Sequence, residues 1–550
     1  MTPNPSSPAD RRPGPGPASR RAGAPPAGRR RLLAALALLP AAAFLSMVLA
    51  PPLNHDVAAV LDFALRMRAG EALYRDLIDV NPPLIFLLNQ PAAWLAGWLP
   101  LEAGQALLLC LLALCGGVLW LCAGLRRGRG EGPVERAVMT ALLPLLLVCA
   151  GYDFGQREQL MAVAALPYLL LAERRILGLR TPPGAWLATL LLAAAGFALK
   201  PHFLAAPALV EALVLLARGR AALRDPFPWA MAALWALYLA AIPAFFPGYF
   251  GHVVPLVWDW YVGLGGVPWW RVALTEVLGS GIATTLGLAV LVGLAPRGAG
   301  WLPRLAVAAM LGGLAAALVQ HKGWSYHLVP VWIWGGLAAG ALSGRLADRA
   351  LAPPRAAGAA PWLAVLVAFG FGLFTLRGGE SPWVQLAYPG SAGARIAAWL
   401  EREAPGRPLL VLSPDIPTVY PAVVYAGSRL LLPYMSTWLL QAVYQDCPQD
   451  GPDPAARYHA PAAMGPAERA LFDTVAERLA RERLARERPA AVLVARHAGI
   501  PWCGGDFDFI AYFSRHPLFA EAWAGYRLRH EIDGYRLYQW EARGRAEGRN

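Results

Sequence analysis

The feature that most constrains this chain is a series of apolar segments, each free of charge and close to the length of a membrane-crossing helix. A helix needs about 20 predominantly apolar residues to cross the hydrocarbon core of a bilayer. Only 15% of the residues are charged, whereas soluble globular chains carry about 25%. The sequence therefore predicts a multi-pass membrane protein whose first apolar segment is a retained helix rather than a cleaved signal. Examples of these segments are 32–50, 106–125, 185–199, 282–294, 305–318 and 362–376.

Arginine clusters between the apolar segments indicate how the chain is threaded. Cytoplasmic loops of membrane proteins carry an excess of Lys and Arg. If every cluster is cytoplasmic, the chain has eleven spans, with 22 basic residues inside and 8 outside. We therefore expect a bacterial inner-membrane protein with a cytoplasmic N-terminus and a periplasmic C-terminus. The clusters are Arg29/Arg30/Arg31, Arg126/Arg127/Arg129/Arg136, Arg174/Arg175/Arg180, Arg218/Arg220/Arg224, Arg297/Arg304 and Arg345/Arg349/Arg355.

The net charge of +13 follows from this topology and does not indicate nucleic-acid binding. From residue 378 onward the chain carries 19 Arg against 19 Asp plus Glu. The whole basic excess therefore belongs to the membrane half, where it lies in short clusters between apolar segments.

Composition divides the chain into three regions. Residues 1–28, rich in Pro, Gly, Ser and Arg, are predicted to be a disordered cytoplasmic N-terminus. Residues 29–377 are predicted to be the transmembrane domain, with a first outer loop at about 51–104. Residues 378–550 are predicted to be a periplasmic α/β domain, with strands at 408–412 and 490–495, helices at 392–403 and 466–488, and a hairpin at 526–540. Whether Cys447 and Cys503 form a disulfide stays open, because spacing alone does not show that they meet.

Polar residues concentrate in the predicted outer segments. Ionisable groups at membrane depth or at the rim are costly and usually mark function. One interpretation is that these are ordinary loop residues with interfacial Trp and Tyr anchors. The other is that four segments far apart in sequence form one site. The candidates are His55, Asp56, Asp79, Asp153, Arg157, Glu158, Lys200, His202, His321, Lys322, Trp324, Tyr326 and His327.

Two lysines strengthen the second interpretation. Of the 49 Lys plus Arg residues, only Lys200 and Lys322 are Lys, and both fall on the predicted outer face. Lys is a compact point charge where Arg is a wide planar fork, so the two are not interchangeable at a tight anion site. The sequence therefore predicts that a phosphate or pyrophosphate binds at this rim, although chance retention of the two lysines remains the alternative.

A family resemblance rests on the first outer loop. Asp56 just beyond the first apolar segment, followed by Gly70-Glu71-Ala72-Leu73-Tyr74-Arg75-Asp76 and Asn81-Pro82-Pro83-Leu84, resembles the GT-C glycosyltransferases. The branch it resembles includes the protein O-mannosyltransferases and the aminoarabinose transferase of lipid A. The resemblance implies a polytopic helical fold with a long first outer loop and, after the spans, a soluble domain outside. It also implies a polyprenyl-phosphate-linked sugar as donor and a glycan, lipid or protein as acceptor.

The resemblance implies a role for Asp56, and the chemistry of the residues suggests roles for the other candidates. Asp56 matches the family's catalytic acid and would be the general base, with His55 and Asp153 as further catalytic candidates. Lys200, Lys322 and Arg157 would stabilise the leaving phosphate, because that group needs cations rather than an acid. His202, His321, Tyr326 and His327 are added to this phosphate-binding set, and Asp79, Glu158 and Trp324 are other loop candidates. Many members have Asp-Glu where this chain has Asp56-Val57, so a divalent metal is possible but is not predicted here.

Two other functional classes stay open at this level. A transporter or flippase for a lipid-linked sugar would also place cations at a lipid phosphate, but it should line a path through the bilayer with polar groups. The predicted spans contain few such groups besides Glu211, which favours an enzyme. A purely structural membrane protein would leave the polar cluster unexplained.

Overall fold

The computed structural model describes residues 27–296, 299–376, 381–445, 458–484, 489–497 and 507–541. Its first part is a helical bundle, and its second part is a small domain built on one sheet. The helices of the bundle region are α1 (Ala27–Leu49), α2 (His55–Arg68), α3 (Leu84–Trp98), α4 (Ala103–Arg126), α5 (Pro133–Val148), α6 (Arg157–Ile176), α7 (Pro183–Phe197), α8 (Ala205–Arg218), α9 (Pro226–Phe245), α10 (Val254–Leu256), α11 (Trp269–Ala273), α12 (Glu276–Leu294), α13 (Leu302–Gln320), α14 (Val329–Ala350) and α15 (Pro353–Thr375).

Seven helical stretches of the described chain are long and apolar enough to span a bilayer. They lie at α1, α4, α8, α9, α12, α13 and α15. The other four predicted spans correspond to α5, α6, α7 and α14, which are shorter or carry charged residues at their ends. The prediction of a polytopic helical membrane protein is confirmed. The count of eleven remains an expectation based on the arginine clusters.

The two helices of the first outer loop, α2 and α3, pack against each other. The N-terminus of α2 is fixed by Asn54, whose side-chain oxygen accepts the backbone N–H groups of Asp56 and Val57. This is an ordinary N-cap, which satisfies donors that the helix itself leaves free. Because Asp56 lies in the first turn of α2, the cap also fixes the position of its carboxylate.

Buried ion pairs join the helices at the opposite end of the bundle from α2. Glu173 on α6 accepts hydrogen bonds from Arg129 at 2.5 Å and from Arg345 at 2.9 Å, and it also accepts the backbone N–H of Leu302 at 2.9 Å. Glu135 on α5 contacts the same two arginines. These charges are paired in the interior, so they hold α5, α6 and α14 together rather than forming an open site.

The C-terminal domain follows the bundle and contains one mixed sheet. The predicted strands, the helix at 392–403 and the hairpin are confirmed, and helix 466–488 is confirmed as far as it is described; Cys447 and Cys503 lie outside the described residues. Its elements are α16 (Trp383–Ala387), α17 (Ala392–Glu403), β1 (Pro408–Leu412), α18 (Ala422–Tyr425), β2 (Arg429–Leu430), α19 (Trp438–Val443), α20 (Pro466–Leu484), β3 (Ala491–Ala495), α21 (Phe509–Ser514), α22 (Pro517–Trp523), β4 (Tyr526–Ile532) and β5 (Tyr535–Trp540).

The strand order of the sheet is β2-β1-β3-β5-β4. Strands β2 and β3 both pair parallel to β1, whereas β5 pairs antiparallel to β3 and to β4. The loops that leave β1 and β2 therefore emerge at the same edge of the sheet.

This edge faces the bundle and is tied to the first outer loop by hydrogen bonds. Arg66 on α2 donates to the carbonyl of Leu432 at 2.9 Å, and the backbone N–H of Ile78 donates to the carbonyl of Pro433 at 2.7 Å. Tyr420 donates to the Asp62 carboxylate at 3.0 Å. The domain thus sits on the same helix that carries Asp56.

Candidate active site

A cavity of about 710 Å³ lies between the bundle and the C-terminal domain. This volume is in the range of small-molecule sites in proteins. The bundle supplies one wall, and the loops after β1 and β2 together with α19 supply the other. The lining residues are His55, Asp56, Val60, Asp79, Val80, Asn81, Arg157, Tyr261, Leu264, Gly265, Lys322, Trp324, Ser325 and Tyr326 from the bundle, and Pro414, Asp415, Ile416, Pro417, Met435, Ser436, Trp438 and Gln441 from the domain.

The Asp56 carboxylate is held by three neighbours. It accepts a hydrogen bond from Gln156 at 3.0 Å, and Arg157 approaches the same oxygen at 3.5 Å. His55 lies 3.7 Å from the other oxygen. Burial raises the pKa of the Asp56 carboxyl, but attraction to His55 and Arg157 and the hydrogen bond from Gln156 outweigh it and lower the pKa below its ordinary value. Asp56 is therefore ionised at neutral pH and able to accept a proton.

A tight turn presses Gln156 and Arg157 against α2. Gly155 has a φ of +90°, and a Cβ on it would lie 3.1 Å from a methyl of Val57, so the close approach requires glycine. Gln156 also donates to Asn54 at 2.9 Å, and Asn54 donates to Asp153 at 3.2 Å. Asp153 does not line the cavity and acts on Asp56 through the cap residue Asn54.

A second carboxylate, Asp79, lines the cavity beside Arg157. Asp79 accepts the backbone and side-chain N–H groups of Asn81 at 2.8 and 2.6 Å, and Asn81 in turn accepts a hydrogen bond from Arg157. Burial raises the pKa of Asp79, although Asn81 and Arg157 oppose this. The two carboxylates thus differ, because Asp56 is stabilised as the anion and Asp79 is shifted toward its protonated form.

Lys322 lines the cavity opposite α2. Its Nζ donates to the carbonyls of Leu264 at 2.8 Å and Tyr261 at 3.1 Å, and it lies 4.0 Å from the centroid of the Tyr261 ring. Burial lowers the pKa of Lys322 to about 8, and repulsion by Lys200 adds to this effect. No carboxylate is paired with its ammonium in the described residues, so the charge is available to an anion in the cavity.

Lys200 is in a different position from Lys322, because it does not line the cavity. Its Nζ donates to the buried Glu158 at 2.5 Å and to Gln320 at 3.3 Å, and it lies 5.7 Å from the Tyr326 ring centroid. Burial lowers the pKa of Lys200, whereas Glu158 raises it. The structure therefore separates the two lysines: one faces the cavity, and the other neutralises a carboxylate behind it.

The three predicted histidines away from α2 also lie outside the cavity lining. His327 is buried, and neither ring nitrogen has a hydrogen-bond partner among the described residues. Burial lowers the pKa of His327 to about 3, so its ring is neutral at physiological pH. The ring of His202 packs edge-on against the ring of Phe203. The carbonyl of His321 accepts a hydrogen bond from the backbone N–H of Val267 at 3.2 Å.

The sequence-based candidates thus fall into two groups. His55, Asp56, Asp79, Arg157, Lys322, Trp324 and Tyr326 line one cavity, whereas Asp153, Glu158, Lys200, His202, His321 and His327 do not. The residues that sequence analysis missed are Tyr261 and the domain residues Asp415, Ser436, Trp438 and Gln441. Asp415 had a usable sequence signal, since it comes three residues after the buried strand β1.

The described residues do not form a recognisable metal site. Over the described ranges, no group of three His, Cys, Asp or Glu side chains could hold a metal ion.

Comparison with solved structures identifies the fold. The chain aligns with ArnT from Cupriavidus metallidurans, in a crystal structure bound to undecaprenyl phosphate, with a TM-score of 0.53 and 14% identity over 94% of this chain and 98% of ArnT. This chain has the GT-C fold of ArnT. The apo structure of ArnT from Cupriavidus metallidurans aligns with a TM-score of 0.43 and 14% identity over 93% of this chain and 97% of ArnT. No protein-family model matches the sequence, and no curated protein matches it either.

The GT-C fold agrees with the resemblance seen in the first outer loop. The alignment includes nearly all of both chains, so the C-terminal domain belongs to the shared architecture as well as the bundle. At 14% identity the likeness concerns the fold. What the cavity does has to be argued from its own residues.

Proposed function

We propose that this protein is a glycosyltransferase that moves a sugar from a polyprenyl-phosphate donor to an acceptor at the periplasmic face of the inner membrane. The observation that carries the proposal is one cavity, at one end of a membrane bundle, that holds an ionised carboxylate together with the cations Arg157 and Lys322. ArnT, which has the same fold, has been crystallised with undecaprenyl phosphate. The acceptor is a glycan, a lipid or a protein.

Asp56 is the general base in this proposal. An acceptor hydroxyl attacks the anomeric carbon of the donor sugar and loses its proton to the Asp56 carboxylate. The new bond joins the acceptor oxygen to the anomeric carbon, and the bond between that carbon and the phosphate oxygen breaks. The electron pair leaves with the polyprenyl phosphate, so attack opposite the leaving group inverts the anomeric centre. Gln156 and Arg157 orient the carboxylate for this step.

Arg157 and Lys322 hold the phosphate of the donor. A phosphate leaving group needs positive charge where its negative charge develops, and cations in a water-poor site act strongly. Among the described residues the Lys322 ammonium donates to two carbonyls, which leaves the third of its three donors for the phosphate. Lys200 is neutralised by Glu158 and is not part of this phosphate contact, whereas Tyr326 lines the cavity and is a further phosphate contact.

A transporter for a lipid-linked sugar is less well supported by the described spans. Glu211, on α8, is paired with Arg175 at 2.7 and 2.9 Å and accepts a hydrogen bond from Tyr168 at 2.9 Å. A polar pathway through the bundle needs groups that face a passage. In the described part of the bundle, the buried carboxylates Glu135, Glu173 and Glu211 are instead paired with arginines.

The proposal is tested by sugar transfer in nanodiscs. The purified protein is given undecaprenyl phosphate carrying a radiolabelled hexose, N-acetylhexosamine or aminopentose, together with a bacterial envelope extract as acceptor. We expect one donor to lose its sugar to the extract and to yield free undecaprenyl phosphate. If no donor loses its sugar although the protein binds it, the enzyme proposal is wrong and the transporter is favoured.

A further inference from the structure

The wall that the C-terminal domain contributes to the cavity contains polar side chains that the proposed chemistry does not use. These are Asp415, Ser436 and Gln441, with the indole of Trp438 among them. The hydroxyl of Ser436 is buried and has no hydrogen-bond partner in the described part of the chain. Leaving a buried hydroxyl unpaired is unfavourable. A ligand that brings its own polar groups would therefore fit this wall.

The sheet topology explains why these residues come together. Asp415 follows β1, and Ser436 follows β2, its parallel neighbour. Because β2 pairs parallel to β1, both loops leave the same edge of the sheet, and open α/β sheets bind ligands outside the carboxyl ends of their strands. A hydrogen bond of 2.8 Å from the backbone N–H of Thr437 to the carbonyl of Ser413 joins the two loops into one surface.

The Asp415 carboxyl group is partly buried at the cavity wall, and this burial changes its pKa. Burial raises the pKa of its carboxyl, and His497, which follows β3, partly opposes this. No side-chain hydrogen bond to the Asp415 carboxylate occurs within the described ranges. A carboxylate of this kind is suited to accept hydrogen bonds from hydroxyl or ammonium groups of a ligand.

The position of this wall relative to the phosphate contacts identifies the part of the ligand that it meets. Trp438 packs edge-on against Tyr261 with a centroid distance of 5.4 Å, and Lys322 lies on that same Tyr261 ring at 4.0 Å. The wall therefore begins directly beside the proposed phosphate contact. In a polyprenyl-phosphate sugar, the sugar is bonded to the phosphate, so it lies within reach of this wall.

We propose that the C-terminal domain supplies the donor-sugar subsite, in which Asp415 and Ser436 hydrogen-bond the sugar and Trp438 packs on its ring. This inference rests on the proposed function and assigns a role to a domain whose sequence contains no catalytic set. The ligand class is a single polar sugar on a polyprenyl phosphate. Asp415 and Ser436 are specificity-determining residues because they touch the sugar but not the bond that breaks.

The test separates binding of the sugar from binding of the phosphate. Affinities of the full-length protein in nanodiscs are measured for undecaprenyl phosphate and for undecaprenyl phosphate carrying a hexose, an N-acetylhexosamine or an aminopentose. We expect the wild type to bind one sugar-loaded lipid more tightly than the free phosphate. Asp415→Asn and Ser436→Ala should each weaken binding of that lipid about tenfold and leave binding of the free phosphate unchanged. The matched control is Asp473→Asn, since Asp473 belongs to the same domain but not to the cavity.

Three results would overturn the inference. The first is a wild type that prefers no sugar-loaded lipid over undecaprenyl phosphate, and the second is an equal loss of affinity for both ligands. The third is unchanged donor affinity with a raised KM for the acceptor, which would assign the wall to the acceptor instead. The first two results are binding measurements that do not depend on transfer, and the third can be obtained only where sugar is transferred, so failure of the subsite and failure of the enzyme proposal are distinguishable.

Discussion

Replacing Lys322 with Arg should weaken donor binding although the charge is kept. The Lys322 ammonium sits between two carbonyls at 2.8 and 3.1 Å and on the face of Tyr261. A planar guanidinium is wider than an ammonium and cannot direct its donors to both carbonyls and the phosphate from this position. The variant should therefore lose roughly one charge-assisted hydrogen bond to the phosphate.

The magnitude follows from the value of such a bond. A hydrogen bond to a charged group contributes about 1.5–3 kcal/mol, which corresponds to an increase in Kd of about 10- to 150-fold. The assay is equilibrium binding of undecaprenyl phosphate in nanodiscs, with the melting temperature recorded for each variant. Arg355→Lys is the control for exchanging Arg and Lys away from the cavity, because Arg355 is exposed at the far end of the bundle. Wild-type affinity in the Lys322→Arg variant would refute the assignment of Lys322 to the phosphate.

Three further predictions concern pH, stability and topology. Because the pKa of Lys322 is lowered to about 8, the positive charge of the free protein is lost as pH rises through this value. We expect kcat/KM for the donor to fall above about pH 8 in the wild type but not in Lys322→Arg; parallel profiles would argue against this origin. Lys200→Met leaves Glu158 buried without its partner and should cost about 3–5 kcal/mol, seen as a lower melting temperature; an unchanged value would contradict the ion pair. An alkaline phosphatase fused after Leu376 should be active in cells, whereas an active cytoplasmic reporter at that point would reverse the orientation.

The sequence predicted much of the fold because the patterns of apolar and polar residues that mark helices and strands involve residues close together in the chain. Charge-free segments of span length, the strand at 408–412 and the hairpin around Asp533 are patterns within a few residues of each other, and each is confirmed. The short strand β2 gave no such pattern, because two residues carry no period. The parallel pairing of β1 and β2, which puts the loops after them at one edge, and the contacts that turn this edge to the bundle are long-range properties of the chain.

The site was predictable in composition but not in arrangement. Asp56 and Arg157 were candidates because polar residues are unusual at a membrane rim, and both line the cavity. The same reasoning grouped Lys200 with Lys322, because it used only the residue type and the predicted side of the membrane. The ion-pair partner of each lysine cannot be predicted in this way. Only the structure shows that the Lys200 ammonium is paired with the Glu158 carboxylate. The position of Asp415 just after β1 was a signal for a site residue, but its place in this cavity depends on how the domain docks on the bundle.

The most direct test of the account is sugar transfer by Asp56→Asn. An amide has nearly the shape of the carboxylate but cannot accept the acceptor's proton, and loss of a general base costs roughly 10²–10⁴ in rate. With the donor that the wild type uses, single-turnover transfer in nanodiscs should fall by that factor, while donor affinity and melting temperature stay close to the wild-type values. Asp473→Asn should transfer at the wild-type rate. Transfer by Asp56→Asn at the rate of this control would contradict the central claim.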